Sequence, residues 1–255
     1  MSYPLYEFAF VSDFDDRLEK LALLAQPENW EYRTSIVTFK RPILFSYLHY
    51  TFARLQEEDK IAYNAGKNRA CINTGLITPN QEEIFALFIP HSNPQPGGPS
   101  WYLQKWCRKS DRDLLDIGKL PPIAHYFSDP SDLLYDTRLQ MRKNIDHIMD
   151  DNKDRFPEPF CSVADNHQLR ISLEGAIDHA LKRVQRNYKT AIPQFYQGRI
   201  QLLLPLCMTN RTKADLALVV YRQGDVYLAS TCLTLDMAYN NARLLARPDS
   251  EWLQP

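Results

Sequence analysis

Asp236, Asn240, Arg243 and Arg247 follow one another at steps of four, three and four residues within LTLDMAYNNARLLARPDSEWL (233–253). On a helix that spacing lines them along one face. Two guanidinium groups beside an amide can clamp a phosphate, because guanidinium N–H groups match phosphate oxygens in pairs. Asp236 would orient Arg243 or act as a base, and Tyr239 and Asn240 would complete a ligand-binding face. The plainer role for the same residues is helix chemistry. Asp236 would then cap the helix or favour its N-terminal dipole, and Arg243 and Arg247 its C-terminal one.

A second group is cationic. His179, Arg183 and Arg186 recur at helical spacing beside Lys182 and Lys189, the densest positive run in the chain. It suits an RNA backbone or nucleotide phosphates. The plainer role is a solvated basic helix end that balances Glu174 and Asp178 near the start. Tyr188, Phe195 and Tyr196 flank Pro193-Gln194 just beyond, where they would stack a base or join the core. Asn73-Thr74-Gly75 follows a short apolar run and Arg69. Such a turn can offer backbone N–H groups to an anion, or simply join two strands.

Proton transfer has fewer candidates. Asn144, His147 and Asp151 share a helical stripe, with Asn152 and Arg155 just beyond, and His147 is a natural proton carrier near neutral pH. His147 and Asp236 are therefore the catalytic expectations, and the plainer role for His147 is a helix-surface histidine paired with an acid. His49-Tyr50-Thr51 is an H-x-T of the kind used by two-histidine phosphoesterases. It lacks a convincing second copy, so His49 is expected to be a packed side chain.

Other chemistries are excluded by what is missing. No GxGxxG or GxxxxGK[ST] loop occurs, and no HExxH. The chain has 8 glycines, where average usage predicts about 18. No Cys/His cluster has zinc spacing, so no metal site or cofactor is expected, beyond a Mg²⁺ brought by a nucleotide substrate. Lys plus Arg (30) nearly cancel Asp plus Glu (31), so anion binding must rest on a local patch. The five cysteines lack tight spacing, which suits reduced thiols in the cytoplasm. Neither a signal peptide nor a membrane span is expected.

The elements that must position these groups are legible in outline. Ser12 with Asp15 resembles a capping box before a helix carrying Leu18 and Leu21. Pro42 opens a second helix with Leu44, Leu48, Phe52 and Leu55 on one face. Residues 70–73, 84–90 and 101–107 predict strands, with SNPQPGGPS (92–100) as an exposed loop. Asp129-Pro130-Ser131 predicts the start of a helix reaching about Asp151. Leu169 to Lys189 predicts the longest helix, with Leu173, Ala176, Ile177, Ala180, Val184 and Tyr188 inward. Strands are predicted over 199–207, 214–222 and 226–231, the last two joined by a tight turn. A closing helix from Leu235 to Ala246 packs on them. The order predicts an α+β fold: an antiparallel or mixed sheet flanked by helices, with a C-terminal β-meander followed by a packing helix. No internal repeat is visible. The chain is expected to form a single domain, with a helical part over about 1–60 and an α+β body over about 61–255.

Several segments together resemble a known family. They are CINTGL (71–76), PPIAHYFSDPSDLLYD (121–136), NIDHIMDDNKDRFP (144–157), AIPQFYQGRIQLLLPLC (191–207) and TCLTLDMAYNNARLLARPDSEWL (231–253). The family is catalogued only as a domain of unknown function, in bacteria and some fungi. The resemblance spans about residues 69–253, and its last segment is the most specific. It implies no activity. Some members sit beside cold-shock or LOTUS-type RNA-binding modules, which implies RNA by association, though this chain carries neither module.

Taken together, the residues predict an RNA- or nucleotide-phosphate-binding protein that leans toward phosphoester chemistry. A non-catalytic nucleotide sensor and a protein-interaction domain are the rival expectations. The predicted pocket gathers Asn73, Thr74, Gly75, Arg183, Arg186, Tyr239, Asn240 and Arg243, with His147 or Asp236 moving protons.

Overall fold

In the computed structural model, residues 3–33, 40–162, 166–249 and 251–253 are described. Two separate sheets account for the apolar runs, and the chain divides into two compact units. The first comprises Met1–Tyr32 and Ile36–His125, and the second Arg33–Ser35 and Tyr126–Pro255.

The first unit begins with α1 (Pro4–Phe8), β1 (Ala9–Phe10), α2 (Phe14–Leu24) and α3 (Pro42–Glu57). Four strands follow: β2 (Ala62–Tyr63), β3 (Ala70–Ile77), β4 (Glu83–Pro90) and β5 (Trp101–Arg108). The sheet order is β1-β5-β4-β3-β2, antiparallel except where β1 runs parallel to β5. Phe52 and Leu55 of α3 pack with Ala70, Ile72, Ala86, Phe88 and Leu103 on one face. Leu114 and Ile117, from a 3₁₀ segment after β5, cover Cys71, Phe85, Leu87 and Cys107 on the other. Burial on both faces explains why β4 reads as a continuous apolar run rather than an alternating one. The helix after Ser12 forms without the expected capping box. The N-cap is Asp13, and the Ser12 hydroxyl lies 3.0 Å from the Tyr102 hydroxyl instead.

The second unit contains β6 (Gln140–Lys143), α4 (Ile145–Asp151), α5 (Asn166–Arg186) and β7 (Ile192–Tyr196). It continues with β8 (Arg199–Leu206), β9 (Leu216–Gln223), β10 (Val226–Leu233) and α6 (Leu235–Arg243). The sheet order is β6-β10-β9-β8-β7, again antiparallel except that β6 runs parallel to β10. Leu173, Ile177, Ala180 and Val184 of α5, with Ile145 and Ile148 of α4, pack on Leu202, Leu204, Leu206, Leu218 and Val220. On the opposite face, Asn241 of α6 donates to Gln194 at 3.1 Å, and Gln194 donates to Gln201 at 2.7 Å. Alternation along β8 places Gln201 on the side away from Leu202. The sheet therefore lies between α5 and α6.

The fold is α+β, and its C-terminal meander precedes a packing helix as expected. Three elements depart from expectation. The helix foreseen from Asp129 to Asp151 breaks into a 3₁₀ turn (Pro130–Leu133), β6 and α4. Asp129 accepts the Ser131 N–H at 2.8 Å, which completes only a single turn. The edge of β10 then takes residues 140–143 as a parallel strand. Pairing overrides local helical spacing here. β7 had no strong signature because Pro193 interrupts it, but it is an edge strand, where proline is tolerated. Finally, α5 stops at Arg186, so Tyr188 turns outward and is 65% exposed rather than buried.

The two units share one order of elements. After a leading helical turn, α1 in the first and the 3₁₀ turn Pro130–Leu133 in the second, each runs through a short strand and two helices and returns as a four-strand meander whose last strand pairs parallel with that short strand. Each then adds a helical segment after the meander. In the first unit that segment covers the sheet face away from α3; in the second it covers the face away from α5. The repeat absent from the residue string is present in the topology.

Candidate functional site

Asn73, Thr74 and Gly75 fall in the first unit, at a break in the β3–β4 register. Asn73 and Thr74 are buried. Asn73 Nδ2 donates to Glu83 at 2.9 Å and its Oδ1 accepts the Gly75 N–H at 3.0 Å. The Thr74 hydroxyl donates to the Ile84 carbonyl at 2.6 Å and accepts the Leu76 N–H at 3.2 Å. The amide groups that an anion would need are thus bonded within the bulge itself.

The other expected site residues fall in the second unit, on two sides of its sheet. Asp236, Tyr239 and Arg243 on α6 are buried, and Asn240 is half-buried. Asp236 Oδ1 accepts the Arg33 backbone N–H at 2.7 Å, and the helix is capped by Thr234, not by Asp236. Tyr239, Asn240 and Arg243 are engaged by neighbouring groups as well. Of the face that resembled a clamp, Asp236 and Arg243 are thus sealed inside, whereas Arg247 lies beyond the end of α6 and is exposed. His147 lies on α4, across the sheet from α6. It is exposed and its Nδ1 sits 2.9 Å from Asp151 Oδ2. The expected proton carriers, His147 and Asp236, are therefore not brought together.

The basic end of α5 behaves differently. The acids that would balance it are engaged elsewhere. Glu174 pairs with Arg170 at 3.2 Å, and Asp178 accepts from Lys143 of β6 at 2.6 Å. Among the described residues, Lys182, Arg183, Arg186 and Lys189 have no carboxylate partner. Lys182, Arg186 and Lys189 are exposed. Arg183 Nη1 reaches Cys207 Sγ at 3.4 Å, at the base of the β8–β9 loop. That loop adds Arg211 and Lys213, both exposed and also without an acidic partner among the described residues. Its own acid, Asp215, accepts the backbone N–H groups of Met208 and Thr209 at 2.7 and 2.9 Å. A helix C-terminus carries only about half a negative charge, so this surface remains positive.

The turn after α5 is firmly built. Asn187 Oδ1 accepts the Lys189 N–H at 3.1 Å, and the Thr190 carbonyl accepts from the buried Trp252 indole at 3.0 Å. It stands over a groove of about 290 Å³. The floor includes Ile192, Ala242 and Leu245, and Lys189, Arg247 and Asp249 bring charge to its lining.

Thiol chemistry finds no support here. Burial pushes Cys71 and Cys232 up to about 12 and Cys107 up to about 11, and it raises Cys207 despite Arg183 nearby. All five cysteines are free. Among the described residues, no group of three or more His, Cys, Asp or Glu could hold a metal ion. No described helix is long and apolar enough to cross a membrane.

The model of the domain of unknown function DUF3825 matches residues 21–252, nearly the whole chain. The chain belongs to the DUF3825 family. No curated protein and no solved structure matches it. In this DUF3825 chain α6 packs against the sheet, whereas the exposed charge lies on α5 and the β8–β9 loop. Arg211, Lys213 and the groove have no signature in the sequence. The two cations are unremarkable in sequence, and their loop meets the helix end because α5 packs on β8 and Arg183 reaches Cys207.

Proposed function

We propose that this DUF3825 protein binds RNA, and that the phosphates lie along the C-terminal end of α5 and the adjoining β8–β9 loop. The observation that carries this reading is the pairing of Glu174 and Asp178 with Arg170 and Lys143. It leaves Lys182, Arg183, Arg186 and Lys189 as cations with no carboxylate partner among the described residues. Lys and Arg side chains on a solvated surface attract a phosphate backbone and release its counterions. Binding is favoured over bond cleavage. His147 and Asp236 lie across the sheet from each other, and Asp236 already accepts from Arg33. Free thiols in a chain with three buried cysteines suit the reducing cytoplasm.

The test is a salt titration with a labelled single-stranded RNA, followed by fluorescence anisotropy. The Lys182→Glu/Arg186→Glu double variant alters two exposed side chains and should fold normally. Its affinity is expected to fall by about ten-fold or more, and its log–log salt slope to flatten by roughly 1.4, for two lost contacts of about 0.7 each. Unchanged affinity and slope would refute the reading.

A further inference from the structure

We infer that the groove beside Tyr188 holds one unpaired base of single-stranded RNA, with the neighbouring phosphate at Lys189 and the ribose hydroxyl at Asp249. This rests on the phosphate path proposed above and gives it a specificity. Four observations converge. Tyr188 is 65% exposed, yet its backbone sits in a turn held by Asn187 and Trp252. A large aromatic ring displayed on a firm turn makes a stacking platform with little ordering left to lose. The groove, at about 290 Å³, lies at the lower limit of small-molecule pockets, about 300 Å³, so it has room for one ring system rather than a helix of nucleic acid. Its floor of Ile192, Ala242 and Leu245 is apolar and suits the face of a base.

Charge selects the occupant. Lys189 has no carboxylate partner among the described residues and continues the cationic line of Lys182 and Arg186 into the groove. A purely apolar guest would leave that line unanswered; a nucleotide answers it with phosphate. Asp249 also lines the groove, is exposed and has no cationic partner among the described residues. A carboxylate there repels phosphate but accepts a hydrogen bond from a hydroxyl. The 2′-OH supplies that donor in RNA and not in DNA. A duplex keeps its bases stacked and cannot place one in the groove.

The experiment measures binding of four probes to the full chain by anisotropy: single-stranded RNA of about ten nucleotides, DNA of the same sequence, and the RNA and DNA duplexes. Tyr188→Ala should weaken single-stranded RNA binding by about five- to one-hundred-fold. Tyr188→Phe should restore it, and duplex binding should be unmoved by either change. Asp249→Ala should narrow the preference for single-stranded RNA over DNA. If Tyr188→Ala binds single-stranded RNA as tightly as the unaltered chain, while Lys182→Glu/Arg186→Glu still loses it, the groove inference fails and the phosphate path stands. An unchanged RNA-to-DNA preference in Asp249→Ala overturns the ribose assignment. If the unaltered chain binds none of the four probes, both readings fall.

Discussion

At the scale of single residues, two positions show how packing decides chemistry. His49 is buried among the rings of Tyr3, Tyr6, Phe14 and Phe45, with centroids 4.2 to 5.6 Å away, and neither ring nitrogen has a hydrogen-bond partner among the described residues. Burial holds its pKa down at about 4, against an ordinary 6.5. The native state thus binds this proton more weakly than the unfolded chain does. The stability tied to neutral His49 is complete above pH 6.5 and is lost as pH falls toward 4, at up to about 1.4 kcal/mol per pH unit. Thermal unfolding from pH 7 to 4 should show this decline, and His49→Phe should flatten it. An equally steep decline in His49→Phe would assign the effect to other groups. The H-x-T that resembles a phosphoesterase signature is therefore a core histidine, as expected.

Gly75 is the second such position. Its φ is +75°, and a Cβ there would lie 2.5 Å from the Tyr47 hydroxyl, which itself donates to the Thr74 carbonyl at 2.9 Å. Gly75→Ala should destabilise the chain by about 1–3 kcal/mol in urea unfolding. Adding Tyr47→Phe removes the clashing oxygen, so the double variant should lose less than the sum of the two singles. Full additivity would show that the hydroxyl is not the obstacle.

At the scale of elements, α6 and α5 exchange the roles that their sequences suggest. The polar face of α6 has the better clamp spacing, yet Asp236 and Arg243 are buried and Asp236 fastens the Arg33 backbone. Asp236→Ala should cost about 1–3 kcal/mol of stability, with Asp236→Asn recovering part of it, while RNA affinity stays unchanged. A lost affinity with intact stability would return α6 to the binding surface. α5 has the more ordinary composition, a basic end that a helix dipole would explain. Its basic end is exposed, and its acids pair with Lys143 and Arg170 instead.

At the scale of the molecule, a formal net charge of −1 confines RNA contacts to the patch. If Lys182, Arg183, Arg186, Lys189, Arg211 and Lys213 all meet phosphates, the log–log salt slope reaches only about −4, at roughly 0.7 per contact. A much steeper slope would mean that RNA tracks other surfaces. The repeated topology also belongs to this scale. Short strands such as β1 and β2, of two residues each, leave almost no imprint on composition. A repeat built on such strands is visible only once they are paired.

What the residues alone determined is whatever depends on near neighbours in the chain. The stripes of α3 and α5, the C-terminal meander, the α+β class and the run of cations after Asp178 all follow from local spacing, because periodicity and turn chemistry act over a few residues. Tertiary structure alone decided that Lys143 meets Asp178, which side chains of α6 are sealed, where 140–143 pairs, and that Tyr188 points outward. Those outcomes depend on groups distant in sequence competing for the same hydrogen bonds, charges and apolar surface, and no short window of residues contains both competitors.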